Sequence, residues 1–223
     1  MLKIHGVPIS VHTRKTIVAA AAKGIAYEND PVIPFDPPAN WRALSPTGLI
    51  PAISHDGYDL ADSAAICAYL ERLAPHPSLY PAEPQALGRA LWLERYASDV
   101  LFREVVHPLF FQSVIRPHIL QQGDPDGAEV ARVEQEVVPS VFGYLEGQAS
   151  TLDGELGIAA ISIASNLVNY GYLGFSVDAE RYPRLAAAFA ASLRQTAFQS
   201  ALAAERPFVE QMGLDGSLLD QTG

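Results

Sequence analysis

The chain has 223 residues, enough for one large domain or two small ones with a substantial core. Hydrophobic residues make up 49% of it and charged residues 18%, a composition that indicates a globular protein and excludes a disordered one. The net charge of −10 argues against nucleic acid as a partner, because phosphates require a basic surface.

The cysteine content and the length of the apolar runs exclude further classes of protein. Cys67 is the only cysteine in the sequence, which excludes an internal disulfide framework and any metal site built from cysteines. The six histidines show no metal-ligand spacing. No run approaches the roughly 20 apolar residues that span a bilayer, and the first residues have no signal-peptide core. We therefore expect a cytoplasmic protein without a metal and without a membrane partner.

Strand and helix signals alternate over the first 74 residues. The patterns predict strands at residues 2–5, 26–31, 51–54 and 58–60, and helices at residues 13–23, 41–44 and 62–73. The first strand, helix and strand form a βαβ unit, whose strands should be parallel with a right-handed crossover. The next two strands are close enough in sequence to pair as a hairpin. The order βαβ-ββα predicts a four-stranded mixed sheet.

A proline-rich segment divides the chain. Four prolines within residues 75–84 predict a stiff, extended connector. Beyond it the patterns predict only helices, at residues 85–122 with interruptions near Pro108 and Pro117, and at 126–149, 162–173, 182–193 and 198–205. The sequence thus predicts an α/β domain over residues 1–76, a linker over 77–84 and an all-helical domain over 85–223.

Two short pieces of the first domain together predict a binding site for a small acidic peptide. Residues 44–53 contain a turn that ends at Pro51, and the pair Asp62-Ser63 opens the next helix. A cis Ile50–Pro51 bond would turn the Ile50 amide outward, although X–Pro bonds are cis in only about 5–6% of cases and spacing alone favours trans. The helix start supplies unpaired N–H groups and a positive dipole end, which suit a carboxylate.

This arrangement resembles the cytosolic glutathione transferases over nearly the whole chain. The likeness rests on residues 10–16 (family wording S-x-x-x-R-K-V), 45–53 (N-P-x-G-K-V-P-A-L, with a cis proline), 62–66 (E/D-S-x-A-I), 162–164 (the S/T-I-A-D start of the buried sixth helix), 182–185 and Phe198. The resemblance implies a thioredoxin-like N-terminal domain and an all-helical C-terminal domain. It also implies a homodimer, formed through the helix from Asp62 and the helix after Pro84.

Two positions depart from the family pattern. Leu49 stands where many members carry a lysine, arginine or glutamine that contacts the tail of glutathione, so one polar anchor is missing. Ser165 replaces the aspartate that closes a capping box with Ser162, a change that would affect only helix stability.

The resemblance further implies that glutathione is the substrate and reacts as a thiolate. A free thiol has a pKa of roughly 8.5, so a hydrogen-bond donor or a positive potential must favour the charged form. Ser10 is the implied donor, and its alternative role is that of an ordinary loop or N-cap serine. Ile50 and the adjoining Pro51 would bind the cysteinyl backbone. Asp62 and Ser63 would bind the γ-glutamyl end, unless they only cap the helix.

A second substrate would meet the helical domain. Apolar side chains along the predicted helix after residue 85 would line a pocket for a hydrophobic electrophile, namely Tyr96, Phe102, Val106, Phe110, Phe111 and Val114. The alternative is that this stripe is ordinary core.

Neighbouring residues limit the chemistry near Ser10. No cysteine lies between Gly6 and Arg14, so we expect no mixed disulfide with glutathione at that position. Cys67 falls inside an apolar helix and is interpreted as a buried structural thiol. His12 and Arg14 are close in sequence, and neither is assigned a ligand contact.

Two classes of function follow. The first is an enzyme, a serine-type glutathione transferase that conjugates glutathione to small hydrophobic electrophiles in detoxification. The second is a binding or scaffold protein of the same fold with weak or no catalysis, which the apolar Leu49 favours. A third possibility keeps glutathione chemistry but changes the reaction to isomerisation, dehalogenation or peroxide reduction.

Overall fold

The computed structural model describes residues 1–152, 154 and 156–220. The predicted helical domain extends to residue 223, so its residues 153, 155 and 221–223 lie outside the described residues. The N-terminal part contains the strands β1 (Leu2–His5), β2 (Tyr27–Asp30), β3 (Ala52–His55) and β4 (Tyr58–Ala61). Its helices are α1 (Val11–Ala22), α2 (Trp41–Leu44) and α3 (Ser63–Leu73).

The four strands form one mixed sheet in the order β2-β1-β3-β4. Strand β1 pairs in parallel with β2, where Leu2 lies opposite Tyr27, and antiparallel with β3, where Leu2 lies opposite His55. Strands β3 and β4 form the antiparallel hairpin, with Ala52 opposite Ala61. The predicted βαβ-ββα order and the mixed sheet are confirmed.

From residue 84 onward the described chain is mainly helical. Helix α4 consists of four consecutive segments, α-helical over Pro84–Tyr96 and His107–Phe110 and π-helical over Ala97–Val106 and Phe111–Ile119. Helix α5 consists of Gly127–Arg132, a π-helical Val133–Val137 and Val138–Gln148, and a 3₁₀ turn follows at Ala149–Thr151. The remaining helices are α6 (Ile158–Tyr172), α7 (Pro183–Leu193), α8 (Thr196–Gln211) and α9 (Ser217–Asp220).

Helix α4 continues through both prolines at which the sequence predicts interruptions, so that prediction was wrong. The helix widens around each proline. The N–H of His107 donates to the carbonyl of Phe102, five residues back, and the N–H of Leu120 donates to Ile115. A proline has no N–H, and its ring clashes with the carbonyl four residues back in an α-helix. The wider register lets α4 continue through residues 108 and 117.

Helix α6 begins at Ile158 and not at the predicted Ser162, so Ser162 is not a capping residue and the expected effect of Ser165 on a capping box does not arise. Both serines lie inside the helix and are buried. The residue before the helix is Gly157, which has no side chain that could cap the helix. The N–H of Ile158 donates instead to the carbonyl of Leu79 in the linker, at 2.9 Å. A main-chain oxygen from the linker therefore satisfies one of the free donors of this helix end.

Helix α4 begins at Pro84, the last residue of the predicted linker. The Glu83 carboxylate accepts hydrogen bonds from the N–H groups of Gln85 and Ala86, at 3.0 and 2.7 Å, and so caps the helix. Proline is favoured at this first helical position, since it has no N–H that would need a partner.

Helix α1 occupies the centre of the molecule, between the sheet and the C-terminal helices. Eight consecutive residues of this helix, 13–20, are buried, so it has no polar face turned to solvent. Three cationic side chains of α1 or its C-terminal end nevertheless point into the interior. Lys15 pairs with Glu94 of α4 at 2.7 Å, and Lys23 pairs with Glu71 of α3 at 2.7 Å.

The third cation, Arg14, joins α1 to two C-terminal helices. Its Nε donates to Oε1 of Glu205 in α8 at 2.7 Å, and Nη2 donates to the other oxygen of the same carboxylate. Nη1 donates to the carbonyl of Ser165 at 2.6 Å and to Oδ1 of Asn169 at 2.7 Å, both in α6. The Tyr172 hydroxyl also donates to Glu205, at 2.9 Å. Burial alone would lower the pKa of Arg14, but Glu205 reverses this effect and the pKa is raised.

We expect Glu205→Ala to lower the free energy of unfolding by about 3–5 kcal/mol, because it leaves the Arg14 guanidinium buried without a counter-charge. Urea denaturation followed by circular dichroism measures this change. The control is Glu129→Ala, which removes a similar two-bond pair with Arg132 on the surface of α5. The control should leave stability nearly unchanged. Equal losses in the two variants would contradict the structural role of the buried pair.

Candidate functional site

Ser10 stands at the junction between the first strand and α1. It precedes the first residue of the helix in an extended conformation, with φ −66° and ψ 130°. Its N–H donates to the carbonyl of Val7 at 3.1 Å, and its carbonyl accepts from the N–H of Arg14 at 2.8 Å. The main chain is therefore held, while the hydroxyl makes no capping hydrogen bond. A half-buried hydroxyl at a helix N-terminus can donate to an anion there.

The loop between α2 and β3 is held in shape by its own side chains. The buried Ser45 hydroxyl donates to the carbonyl of Leu49 at 2.7 Å. The Trp41 indole N–H donates to the carbonyl of Gly48 at 3.1 Å. These bonds leave Ile50 at the end of the loop, 9% exposed, followed by a cis bond to the buried Pro51.

The main chain of Ile50 is available to a ligand. Neither its N–H nor its carbonyl makes a hydrogen bond to any other described residue. Close packing of three elements sets this position. Gly6, with φ +151°, follows β1, and a Cβ on it would lie 2.4 Å from Oγ1 of Thr13 in α1 and 3.3 Å from Cβ of Ile50. Only glycine lets β1, α1 and the Ile50 segment approach this closely.

The start of α3 combines a capped end with a free donor. Asp62 has φ 78°, and its Oδ1 accepts from the N–H groups of Ala64 and Ala65 at 2.9 and 3.0 Å. Asp62 thus caps the helix, the alternative left open by the sequence. The N–H and hydroxyl of Ser63 make no hydrogen bond to another described residue, although Ser63 is only 5% exposed. Ser63 therefore supplies two donors at the positive end of the helix.

Leu49 projects from the loop with 66% of its surface exposed. Arg42 of α2 lies against the adjoining Gly48, with its guanidinium carbon 3.2 Å from where a Cβ of Gly48 would be. Arg42 is exposed and donates to the carbonyl of Pro46 at 3.1 Å. Beside it is a surface cavity of about 300 Å³, lined by Pro34, Pro37, Pro38, Ala39, Trp41, Arg42 and Gly48.

The six side chains predicted to line the electrophile pocket differ in their burial and in their ring contacts. Phe102 packs edge-on against the ring of His12, with ring centroids 4.6 Å apart, and so lies beside the Ser10 turn. Tyr96 belongs to a different cluster, with Tyr144 at 4.5 Å. Val106 is 1% exposed, which leaves it almost no surface for a ligand.

The other three members of that set lie farther along α4. Phe110 and Phe111 are half-buried, and Val114 is 2% exposed. No ring contact joins either phenylalanine to Phe102 or His12 within the described part of the chain. Phe102 is the member that the structure brings to the predicted catalytic position.

The sequence did not indicate a ligand contact for His12, yet its ring lies where α1 of the first domain contacts α4 of the second. Burial lowers the pKa of His12 to about 4, and the charges of Lys15 and Arg103 add to this effect against those of Asp62 and Asp99. The imidazole is therefore neutral at physiological pH. Its position two residues after Ser10 was visible in the sequence, but its contact with Phe102 of α4 was not.

Two further side chains near the site are structural. Arg14 is fully buried in the ion pair with Glu205. Cys67, in α3, is fully buried, and burial raises the pKa of its thiol to about 12. The interpretation of Cys67 as a buried thiol is confirmed.

The described residues contain neither a candidate metal-binding cluster nor a candidate membrane-spanning helix. Their histidine, cysteine, aspartate and glutamate side chains form no group of three or more that could hold a metal ion. Among these residues, no helix combines the length and apolar character needed to cross a bilayer.

The four-stranded mixed sheet and its helices define a thioredoxin-like domain, which is followed by a helical domain. Residues 4–78 match the family described as the N-terminal domain of glutathione S-transferase. The chain is 30% identical over 193 residues to rat maleylacetoacetate isomerase, covering 82% of this chain and 83% of the relative. It is 26% identical over 210 residues to a wheat glutathione S-transferase, covering 92% and 94%.

A solved structure has a similar fold over most of the chain. The glutathione S-transferase of Rhodospirillum rubrum F11 superposes with a TM-score of 0.80 at 25% identity, covering 91% of this chain and 92% of that one. The chain belongs to the glutathione S-transferase family, whose members use glutathione as substrate. The predicted fold class is confirmed.

We expect Cys67 to be unreactive in the folded protein, because its thiol is fully covered and almost entirely protonated at neutral pH. Titration with a chromogenic disulfide reagent should find no reactive thiol in buffer and one in guanidinium chloride. Rapid labelling of the native protein at pH 7 would contradict the buried position of this side chain.

Proposed function

We propose that the protein is a glutathione transferase that joins the glutathione thiolate to small hydrophobic electrophiles, with Ser10 as the donor that favours the thiolate. One observation carries this proposal. The Ser10 main chain is locked by two hydrogen bonds, while its hydroxyl is left unused beside the N-terminus of α1. A hydroxyl that does not cap its own helix can donate to a thiolate, and the helix end adds positive potential.

The free groups of the first domain match the parts of an extended tripeptide. The Ile50 N–H and carbonyl, next to Pro51, would pair with the cysteinyl main chain. The Ser63 N–H and hydroxyl would hold the γ-glutamyl carboxylate. The second oxygen of Asp62, which is not used in capping, would accept from the γ-glutamyl ammonium.

The glycyl end would rely on Arg42. Leu49 offers no charge where many family members carry a polar or cationic side chain. The Arg42 guanidinium lies against Gly48, beside Leu49 in the chain, and lines the adjacent surface cavity. Because Arg42 is exposed, its attraction for a carboxylate would be modest and sensitive to salt.

The electrophile would bind against the α4 side of the Ser10 turn, where Phe102 meets His12. The same predicted pocket includes Tyr96, Val106 and Phe110, of which Tyr96 and Phe110 keep partly exposed surface on α4 and Val106 is buried. We propose Phe102 as the main apolar contact.

A second reaction has its own support. The similarity to rat maleylacetoacetate isomerase favours a glutathione-dependent isomerase built on the same site. An isomerase returns glutathione unchanged, so substrate turnover without loss of free thiol would distinguish it from a conjugating enzyme.

A non-catalytic binding protein is the remaining candidate, favoured by the exposed, uncharged Leu49. Retention on immobilised glutathione and a thermal shift with millimolar glutathione test it. A protein that shows neither would support the binding-protein role and remove the enzyme proposal.

We also propose a cytoplasmic homodimer. The two helices assigned to the interface expose large apolar side chains, Leu73 on α3 and Leu91 and Trp92 on α4, at 43%, 45% and 52%. Exposed apolar groups on neighbouring helices are typical of a surface that a second subunit covers.

We expect Ser10→Ala to reduce kcat/KM with glutathione and chlorodinitrobenzene by about 100-fold, because the thiolate loses a charge-assisted hydrogen bond. The pKa of the bound thiol, followed by the ultraviolet absorbance of the thiolate, should rise. Ser192→Ala is the control, since the Ser192 hydroxyl donates to the carbonyl of Ala188 in α7, away from the site. Equal rates in wild type and Ser10→Ala would remove Ser10 from the mechanism.

We expect Leu49→Lys to tighten glutathione binding by about 2- to 5-fold at low salt, through a new exposed charge pair with the glycyl carboxylate. Arg42→Ala should weaken binding by a similar factor. Isothermal titration calorimetry at two salt concentrations measures both. Leu120→Lys adds the same charge at a leucine that is 45% exposed beyond α4. If it tightened binding as much as Leu49→Lys, the effect would come from net charge and not from a local contact.

A further inference from the structure

His12 lies between the two halves of the proposed site. Its ring packs on Phe102, the side chain proposed to contact the electrophile, with the centroids 4.6 Å apart. The ring also feels the charge of Asp62, at the start of α3 where glutathione is proposed to bind. His12 is also two residues from Ser10, on the first turn of α1.

The imidazole of His12 has no hydrogen-bond partner among the described residues. Neither ring nitrogen is completely enclosed by protein atoms. The ring is therefore largely covered, while its nitrogens keep some accessible surface. A neutral imidazole has one N–H donor and one acceptor nitrogen. An unpaired polar group in mostly apolar surroundings costs free energy unless a ligand satisfies it.

The charges around His12 explain why the ring stays neutral. Lys15 approaches from its own helix, and Arg103 from α4. Asp62 and Asp99 oppose them from α3 and α4, but burial outweighs the two carboxylates. A ring of this kind is a poor base for a thiol. It is well suited to donate a hydrogen bond through its N–H without becoming charged, as neutral catalytic histidines do in other enzymes.

We propose that the His12 N–H donates a hydrogen bond to an oxygen of the second substrate, so that the preferred electrophiles carry a carbonyl or nitro oxygen conjugated to the carbon under attack. The inference rests on the proposed function, because it requires glutathione to bind beside Ser10. It adds a substrate class and a contact residue that the Ser10 mechanism does not supply.

The reaction with an α,β-unsaturated ketone shows what the contact would do. Glutathione releases its thiol proton to solvent, and the thiolate forms a carbon–sulfur bond at the β-carbon. The electron pair of the C=C bond moves to give an enolate, whose negative charge lies mainly on the oxygen. The His12 N–H donates to that oxygen, and water then delivers a proton to the α-carbon. A donor aimed at the oxygen stabilises the transition state more than the ground state.

The test compares two phenyl-bearing electrophiles, benzylideneacetone, which has the conjugated oxygen, and benzyl chloride, which has none. His12→Phe keeps a ring against Phe102 and removes the donor. We expect it to lower kcat/KM for benzylideneacetone by at least about 10-fold and to change the value for benzyl chloride by less than about 2-fold. His12→Gln restores an N–H donor and should recover part of the loss.

His107→Phe is the matched control. His107 also packs edge-on against Phe102, with centroids 5.6 Å apart, and is exposed. This variant should not separate the two substrates. Equal loss with both electrophiles in His12→Phe, or no loss with either, would overturn the inference while leaving the transferase proposal intact.

The benzyl chloride rate also shows that each variant is folded. If wild type neither binds glutathione nor conjugates either electrophile, the proposed function itself fails, an outcome distinct from failure of the His12 contact.

Discussion

The buried pair of Arg14 and Glu205 is the constraint on which the arrangement of the two domains depends. It joins residues 191 positions apart, and both side chains are essentially without solvent contact. Removing two charges from water is costly and is tolerated only when their hydrogen bonds are satisfied. Here the carboxylate accepts from the guanidinium and from Tyr172, while the remaining guanidinium N–H groups reach main-chain and amide oxygens of α6 and the Ile9 carbonyl.

This constraint acts on α1, and α1 carries the candidate site at its N-terminus. Two more cations hold the same helix, Lys15 through Glu94 of α4 and Lys23 through Glu71 of α3. These ion pairs join α1 to α8, α4 and α3. Separating any of the pairs would leave a charged group buried. A helix held in this way presents Ser10 and His12 in a fixed orientation. Fixed donors are what electrostatic stabilisation of a thiolate or an enolate requires, because they need not reorganise during the reaction.

Much of the fold was predictable because its signals are local. Strand and helix periodicity, glycine stops and the proline-rich connector placed the elements of the N-terminal part to within a residue or two, as at Trp41–Leu44. Spacing alone favoured a trans Ile50–Pro51 bond, whereas the neighbouring helix start and the family resemblance favoured the cis bond that the structure has. Local sequence patterns did not predict features that depend on particular hydrogen bonds of the folded chain. The start of α6 depends on the Leu79 carbonyl of the linker, and the course of α4 through its prolines depends on a change of hydrogen-bond register.

The sequence by itself determined the family, the order of elements and the residues that surround the proposed tripeptide site, since each of these follows from short segments with their own turn, cap or strand pattern. The tertiary structure decided which side chains near Ser10 are structural and which are free. Arg14 and His12 lie two residues apart on one helical turn, and neither has a local pattern that distinguishes it. Arg14 meets a carboxylate from α8, whereas His12 meets the apolar Phe102 of α4. The difference comes from partners far away in sequence, which only the packed fold brings together.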